Sequence, residues 1–158
     1  MLDGGVHFVA ALQILLGDDQ VEKVAAFTAQ NMTHLPPVDT LSATARTKGG
    51  VVGQMMFSWG TTDRAWEFRV GTEGGVVAVG AGGVVTITKL DGSVETKSFS
   101  EDRNGVGREV VAFAGAIKDG KLDERQKPEA AVKDLELVEK MLKSGENGGE
   151  PMTIVGGF

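Results

Sequence analysis

The sequence predicts an α+β fold, in which helices pack on one face of an open, mainly antiparallel β-sheet. Three observations lead to this class. A helix-length apolar segment opens the chain, short β-type segments separated by glycine turns follow, and two segments with helical spacing come last. The chain has 158 residues, which is long enough for one domain with its own core, so we expect residues 1–158 to form a single domain.

The first predicted element is a helix over Leu2–Gly17. Asp3 stands where an N-cap residue would stand, and the closing glycine is typical of a helix C-terminus. Between residues 8 and 16 only Gln13 is polar. Because a helix that is apolar on nearly every side is typical of the protein interior, we expect the other elements to pack around it.

A meander of strands is predicted next. The predicted strands are Val21–Gln30, Asp39–Thr47, Val51–Trp59, Arg64–Val70, Val76–Val79, Val84–Leu90 and Ser93–Phe99. Connections this short leave no room for the helical crossovers of a parallel sheet. We expect Met55, Phe57, Trp66 and Phe68 to make one sheet face partly apolar, which would suit a partner. At least one of the two tryptophans is nevertheless expected in the ordinary core.

Two helices are predicted in the last third of the chain. Val106–Ile117 has helical spacing and is followed by Gly120. Pro128 suits the first turn of a second helix, which we expect to stop at Gly145. The tail Pro151–Phe158 is short and apolar, which is typical of an edge strand or an irregular tail.

Composition argues against several kinds of partner. The net charge is −6 and there is no basic stripe, so nucleic acid is not expected. No apolar run is long enough to span a bilayer, so no membrane association is expected. The absence of cysteine excludes disulfides and thiolate metal sites and fits a cytoplasmic location. With only two histidines, His7 and His34, a histidine-based zinc site is not expected either.

Two polar side chains at the start of the first helix are the candidate catalytic residues. Asp3 and His7 are four residues apart, so they lie on one side of the helix. The positive end of the helix dipole favours an ionised Asp3 and a neutral His7, a pair that can exchange a proton with an alcohol or a carbonyl. The alternative is that Asp3 only caps the helix and His7 only makes a structural hydrogen bond. His34, in the loop Asn31–Val38, is expected to be solvated.

Two glycine-rich stretches fall short of nucleotide-binding motifs. Gly105–Val110 lacks the third glycine of a GxGxxG fingerprint, and no βαβ unit follows it. Gly80–Gly83 lies between two β-type segments, which indicates a hairpin. We therefore expect this chain alone to bind no cofactor.

Five segments together resemble a known family. Asp3-Gly4-Gly5-Val6-His7 and the apolar helix after it are similar to the DxGxH-type helix of the Gfo/Idh/MocA oxidoreductases, which include glucose–fructose oxidoreductase, inositol dehydrogenase and dihydrodiol dehydrogenase. The other segments that agree in the family's order are Pro37–Leu41, Val70–Gly75, Gly107–Gly120 and Pro128–Gly145. The resemblance covers nearly the whole chain.

The resemblance implies a C-terminal-type domain that binds substrate and often makes oligomer contacts through an open sheet. In the family a Rossmann domain that binds NAD or NADP precedes it, and this sequence holds neither the glycine fingerprint nor the Glu-Lys-Pro segment of that domain. Lys127-Pro128 is only superficially similar, because Gln126 stands in place of the glutamate. The resemblance implies proton transfer by His7, with Asp3 as its orienter or as an acceptor for a substrate hydroxyl.

Two functions follow. The first is the substrate-side half of an NAD(P)-dependent oxidoreductase that acts on a sugar, polyol or related alcohol, inactive alone because hydride transfer needs a nicotinamide held near the substrate carbon. The second is a non-catalytic module that forms a homo-oligomer or binds a partner through its open sheet face. A chain without its Rossmann half would also expose the outer side of the first helix.

Overall fold

The computed structural model describes residues 2–99, 105–123 and 126–156, with side chains from residue 4 onward. Among these residues are three helices and eight strands: α1 (Leu2–Leu16), β1 (Val21–Ala29), β2 (Thr40–Thr47), β3 (Val52–Ser58), β4 (Glu67–Thr72), β5 (Gly75–Gly80), β6 (Val84–Lys89), β7 (Val94–Ser98), α2 (Val106–Asp119), α3 (Pro128–Glu146) and β8 (Met152–Thr153). None of these helices combines the length and the apolar character that a bilayer-spanning segment needs.

The α+β class is confirmed, and the strands are divided between two antiparallel sheets where the sequence predicted one. The described strands pair in the orders β3-β2-β1-β8 and β4-β5-β6-β7. The chain forms two compact units: residues 1–62 with 124–158 contain the first sheet, α1 and α3, and residues 63–123 contain the second sheet and α2. The tail adopts the edge-strand alternative, since β8 pairs with β1.

The inner face of the first sheet forms the core of the first unit. In β2, Leu41, Ala43 and Ala45 are buried while the residues between them are exposed, as the alternating sequence predicts. The other buried apolar residues of this core are Val9, Val21, Val24, Ala26, Met55, Leu137, Val138 and Met141. With the residues of β2, the core is built from α1, α3 and three strands, so it joins both ends of the chain.

Helix α3 lies close to β1 because small residues near the C-terminal end of the helix face the strand. A Cβ atom on Gly145 would lie 2.5 Å from Cγ2 of Thr28 in β1, so a larger residue would push the two elements apart. Gly145 therefore serves packing and does not end the helix as predicted, since α3 continues to Glu146 and is capped by Asn147.

The buried Ser144 completes the hydrogen bonding of β1 beyond its short pairing with β8. Its hydroxyl accepts a hydrogen bond of 2.8 Å from the backbone N–H of Ala26 and donates one of 2.7 Å to the backbone carbonyl of Glu150. Strand β8 pairs only with Lys23 and Val24 of β1. Beyond this short pairing, the Ser144 side chain supplies the hydrogen-bond acceptor that the backbone N–H of Ala26 needs.

Helix α1 is not buried on every side, so that prediction is wrong. Val9 is fully buried, whereas Ile14 and Leu15 are 66% and 51% exposed. The core covers one side of the helix, and the exposed side also carries His7. The lack of a polar face in the sequence therefore reflects an apolar surface rather than complete burial.

The assignment of residues to the faces of the first sheet also needs correction. Met55 is buried and Phe57 packs against the core, so neither belongs to an outer, partner-facing surface as expected. Met56, which lies between them, points to the opposite face and is 72% exposed.

The second unit has regular secondary structure and little burial. None of its described residues is buried, and this includes every residue of α2. The boundaries of α2 agree with the prediction, since Gly120 follows it with a left-handed φ of 65°. The expected packing of α2 on a sheet is wrong, because Val110, Phe113 and Ile117 on its apolar stripe are all exposed.

We expect Ser144→Ala to destabilise the chain by about 1–3 kcal/mol, because it leaves a buried backbone N–H and a carbonyl without their partner. Ser42→Ala, on the exposed face of β2, is the matched control and should change stability by less than about 0.5 kcal/mol. Urea unfolding followed by circular dichroism measures both free energies. Equal effects of the two substitutions would contradict the role of Ser144.

Candidate functional site

The first turns of α1 carry the two candidate catalytic positions. The helix begins at Leu2, so Asp3 lies inside the first turn and is not the predicted N-cap. His7 follows one turn later and is exposed. Positions 3 and 7 share one side of the helix because α-helices repeat every 3.6 residues. The side chain of Asp3 lies outside the described residues, so its contact with His7 stays a prediction.

An aromatic cluster lies beside the same turns. A Cβ atom on Gly4 would lie 2.5 Å from Cζ2 of the Trp59 indole, which shows how closely the ring approaches the helix. The Phe57 and Trp59 rings stack with centroids 6.5 Å apart, and Phe57 lies 5.8 Å from the ring of Phe8 in α1. The aromatic residues at the end of β3 therefore pack along the start of α1.

Asp39 holds in place the residues that directly follow β3. Its buried carboxylate accepts hydrogen bonds from the backbone N–H groups of Asn31 and Met32, the shorter at 2.7 Å. Its backbone carbonyl accepts the N–H of Trp59 at 2.9 Å. A Cβ atom on Gly60 would lie 2.6 Å from Oδ1 of Asp39, so the turn after Trp59 has no space for a side chain there.

The pKa of Asp39 is lowered from its ordinary value. Burial is the largest single influence and by itself raises the pKa, because it penalises the charged form. The hydrogen bonds from Asn31, Met32 and the hydroxyl of Thr40 favour the carboxylate and, together with the nearby His34, outweigh burial. His34 itself is exposed on the loop between β1 and β2, as expected for a solvated residue.

A separate groove of about 550 Å³ lies towards the other end of α1. It is lined by the C-terminal half of α1 and the start of α3. Inside it the amide of Gln13 donates a hydrogen bond of 2.6 Å to Asp134, whose pKa is raised because burial outweighs this hydrogen bond. His7 does not line the groove, so among the described residues the groove is separate from the turn of α1 that carries His7.

The sequence did not single out Trp59 as a site residue. Trp59 and Trp66 are 42% and 38% exposed, so the expectation that at least one is an ordinary core residue is wrong. The local sequence feature that could have drawn attention to this residue is a tryptophan followed by a glycine at the end of an alternating strand. Its position beside Gly4 depends on a contact between segments far apart in the chain.

The family of the chain follows from comparison with known proteins. Residues 1–154 match the model of the Gfo/Idh/MocA oxidoreductases, described as the oxidoreductase family, C-terminal alpha/beta domain. The chain belongs to this family. Its DxGxH-type segment is the beginning of α1, and its sheets are antiparallel, as the resemblance implied.

Individual relatives agree with this assignment. Dehydrogenase FPY6 from Fusarium mangiferae is 32% identical over 154 residues, which are 94% of this chain and 44% of the relative. An oxidoreductase from Agrobacterium radiobacter, solved in complex with NAD+, L-tartaric acid and magnesium, shares the fold with a TM-score of 0.79 at 16% identity, over 96% of this chain and 48% of that one. An inositol dehydrogenase homolog from Azotobacter vinelandii, complexed with NADH and myo-inositol, gives a TM-score of 0.70 at 13% identity, over 96% of this chain and 48% of that one. This Gfo/Idh/MocA chain therefore spans less than half the length of each.

The described residues of this Gfo/Idh/MocA chain do not form a dinucleotide cradle. Gly105 precedes α2 with a left-handed φ of 71°, but the strand before it, β7, belongs to an antiparallel sheet. A Rossmann phosphate turn requires the parallel βαβ unit. Gly80–Gly83 connects β5 and β6 as a hairpin, as predicted. The described residues thus do not fit NAD or NADP on their own.

We expect Asp39→Asn to destabilise the chain at neutral pH, with a difference from wild type that shrinks on acidification. Because the folded pKa is lowered, the ionised carboxylate contributes stability above the unfolded pKa of about 3.9 and loses it as the pH falls through the folded value. Urea unfolding at a series of pH values from neutral to strongly acidic measures this difference. A difference that is independent of pH would contradict the assignment.

Proposed function

We propose that this chain is the substrate-side half of an NAD(P)-dependent oxidoreductase that acts on a sugar, polyol or related alcohol. The observation that carries the proposal is the DxGxH sequence at the start of α1, with an exposed His7 one turn after Asp3, in a chain of this family. One structure with the same fold is a complex with NAD+ and L-tartaric acid and another with NADH and myo-inositol, which supports a polyhydroxylated substrate.

Oxidation of an alcohol removes a hydride from carbon and a proton from oxygen. A nicotinamide cofactor, held by the remaining part of a full-length enzyme, would supply the hydride acceptor. In our proposal His7 accepts the hydroxyl proton, since imidazole is suited to proton transfer near neutral pH. Asp3 orients the imidazole or accepts a hydrogen bond from the substrate, and the amino end of α1 favours its negative charge.

We expect His7→Asn to lower kcat by about 10²- to 10⁴-fold in a chimera that joins the N-terminal part of the Fusarium relative to this chain. An amide cannot accept the hydroxyl proton, although it fills similar space. Steady-state kinetics with NAD+ or NADP+ and a panel of sugars and polyols measures the effect.

His34→Asn, which alters the other of the two histidines, is the control and should leave kcat unchanged. The unfused chain should be inactive with either cofactor, because its described residues contain no phosphate-binding turn. A fully active His7→Asn chimera, or an active unfused chain, would contradict the proposal.

The second unit favours a second function, self-association of the chain through its sheet. Among residues 63–123, none that the structure describes is buried, although they include four strands and a helix. A two-layer fold normally depends on buried apolar side chains for its stability. We propose that contact with a second copy supplies this burial.

One face of the second sheet is suited to such a contact. We call it the second-sheet apolar face, and its side chains lie in two rows across β4, β5 and β6: Phe68, Val79 and Val85, and Val70, Val77 and Ile87. On β7 the first row continues as Lys97 and the second as Glu95, and these two residues form an ion pair of 3.3 Å. An apolar patch with a charged rim is typical of a surface that contacts another chain.

We expect Val70→Lys to weaken self-association by at least about tenfold, because a lysine on the second-sheet apolar face would be buried without a partner charge. Val94→Lys is the matched control, since Val94 is another exposed valine on an edge strand but lies on the opposite face. Sedimentation velocity over a concentration series measures the self-association of the wild-type chain and of both variants. A monomeric wild-type chain, or equal effects of the two substitutions, would contradict the proposal.

A further inference from the structure

Trp59 is fixed in place and yet partly uncovered. Its backbone N–H is bound by the carbonyl of Asp39, Phe57 stacks on its ring, and Gly4 lets the ring approach α1 closely. The residue nevertheless remains 42% exposed. An aromatic ring that is already held rigidly loses little conformational freedom when a ligand binds to it, so it is suited to ligand contact.

The indole borders the part of α1 that carries the candidate catalytic residues. It lies against Gly4, which directly follows Asp3 and precedes His7 by three residues. Residues three or four apart are neighbours on a helix surface. A molecule that rests on the exposed part of the indole would therefore lie near the turn of α1 that carries the exposed His7.

We infer that Trp59 is a specificity-determining residue that stacks against the C–H face of a ring-shaped polyol or sugar. The inference rests on the proposed function and narrows its substrate class. The face of an aromatic ring is negatively polarised and attracts the positively polarised C–H groups of such a ring. The hydroxyl groups project from the edge of the ring, where one of them meets His7.

The same geometry disfavours open-chain substrates. A flexible hydroxy acid or short polyol presents no flat C–H face, and it loses more conformational freedom when it is ordered on the indole. Trp59 therefore selects for cyclic over open-chain compounds, while His7 and Asp3 act on the hydroxyl group that both classes share.

Saturation-transfer NMR on the full chain tests this contact, with myo-inositol as the cyclic probe and L-tartrate as the open-chain probe. We expect saturation of the protein to reach the C–H protons of inositol, with Trp59→Leu weakening inositol binding about two- to twelvefold, the size of one aromatic contact. Trp66→Leu is the matched control, because Trp66 is similarly exposed at 38% and packs edge-on against Phe68 in the other unit.

A second variant keeps the indole but displaces it. Gly4→Ala places a methyl group where Cζ2 of Trp59 lies 2.5 Å away, so the ring must move. We expect Gly4→Ala to weaken inositol binding, as Trp59→Leu does, and to leave the circular dichroism spectrum unchanged. Absence of transfer to inositol in the wild-type chain, or equal loss in Trp59→Leu and Trp66→Leu, would overturn the inference.

The chimera separates this inference from the proposed function. Trp59→Leu should raise KM for ring polyols by the same factor, with a smaller change in kcat and little change in KM for open-chain substrates. If activity depends on His7 but KM does not depend on Trp59, the inference fails and the proposed function stands. If inositol binding depends on Trp59 while His7→Asn leaves activity intact, the proposed function fails and the inference stands.

Discussion

The close contact between α3 and β1 determines the arrangement of the first unit. Gly145 allows the helix to approach Thr28, and the buried Ser144 satisfies the backbone of Ala26 where no strand does. With α3 held there, its buried side chains cover the inner face of the sheet, and α1 packs beside α3. The start of α1 also contacts the end of β3, through the Phe8 and Phe57 rings and through Gly4 and Trp59.

Helix α1 has two distinct sides, and both are apolar over much of their length. Val9 lies in the core, while Ile14 and Leu15 are exposed on a surface that also carries His7. Side chains that stay in water contribute nothing to the hydrophobic stabilisation of the fold, so burial within this unit does not explain their apolar character. In the proposed enzyme this surface adjoins the half that brings the cofactor, and the proton-transfer group lies at its edge.

The two units differ in how far their apolar residues are buried. The first has a core assembled from both ends of the chain, whereas none of the described residues of the second is buried. The register of β4, β5 and β6 nevertheless gathers apolar side chains on one face of that sheet. In the two proposed functions, catalysis would lie on the first unit and self-association on the second.

The sequence by itself determined the elements, the antiparallel order of the strands and, through its resemblance to the family, the positions of Asp3 and His7. Hydrophobic spacing and glycine turns act between near neighbours, so they can be recognised locally. Only the tertiary structure decided which apolar side chains are buried, because burial depends on segments far apart in the chain. It exposed the outer side of α1 and the stripe of α2, and it separated the strands into two sheets. It also brought Trp59 against Gly4, a close approach that no local pattern specifies.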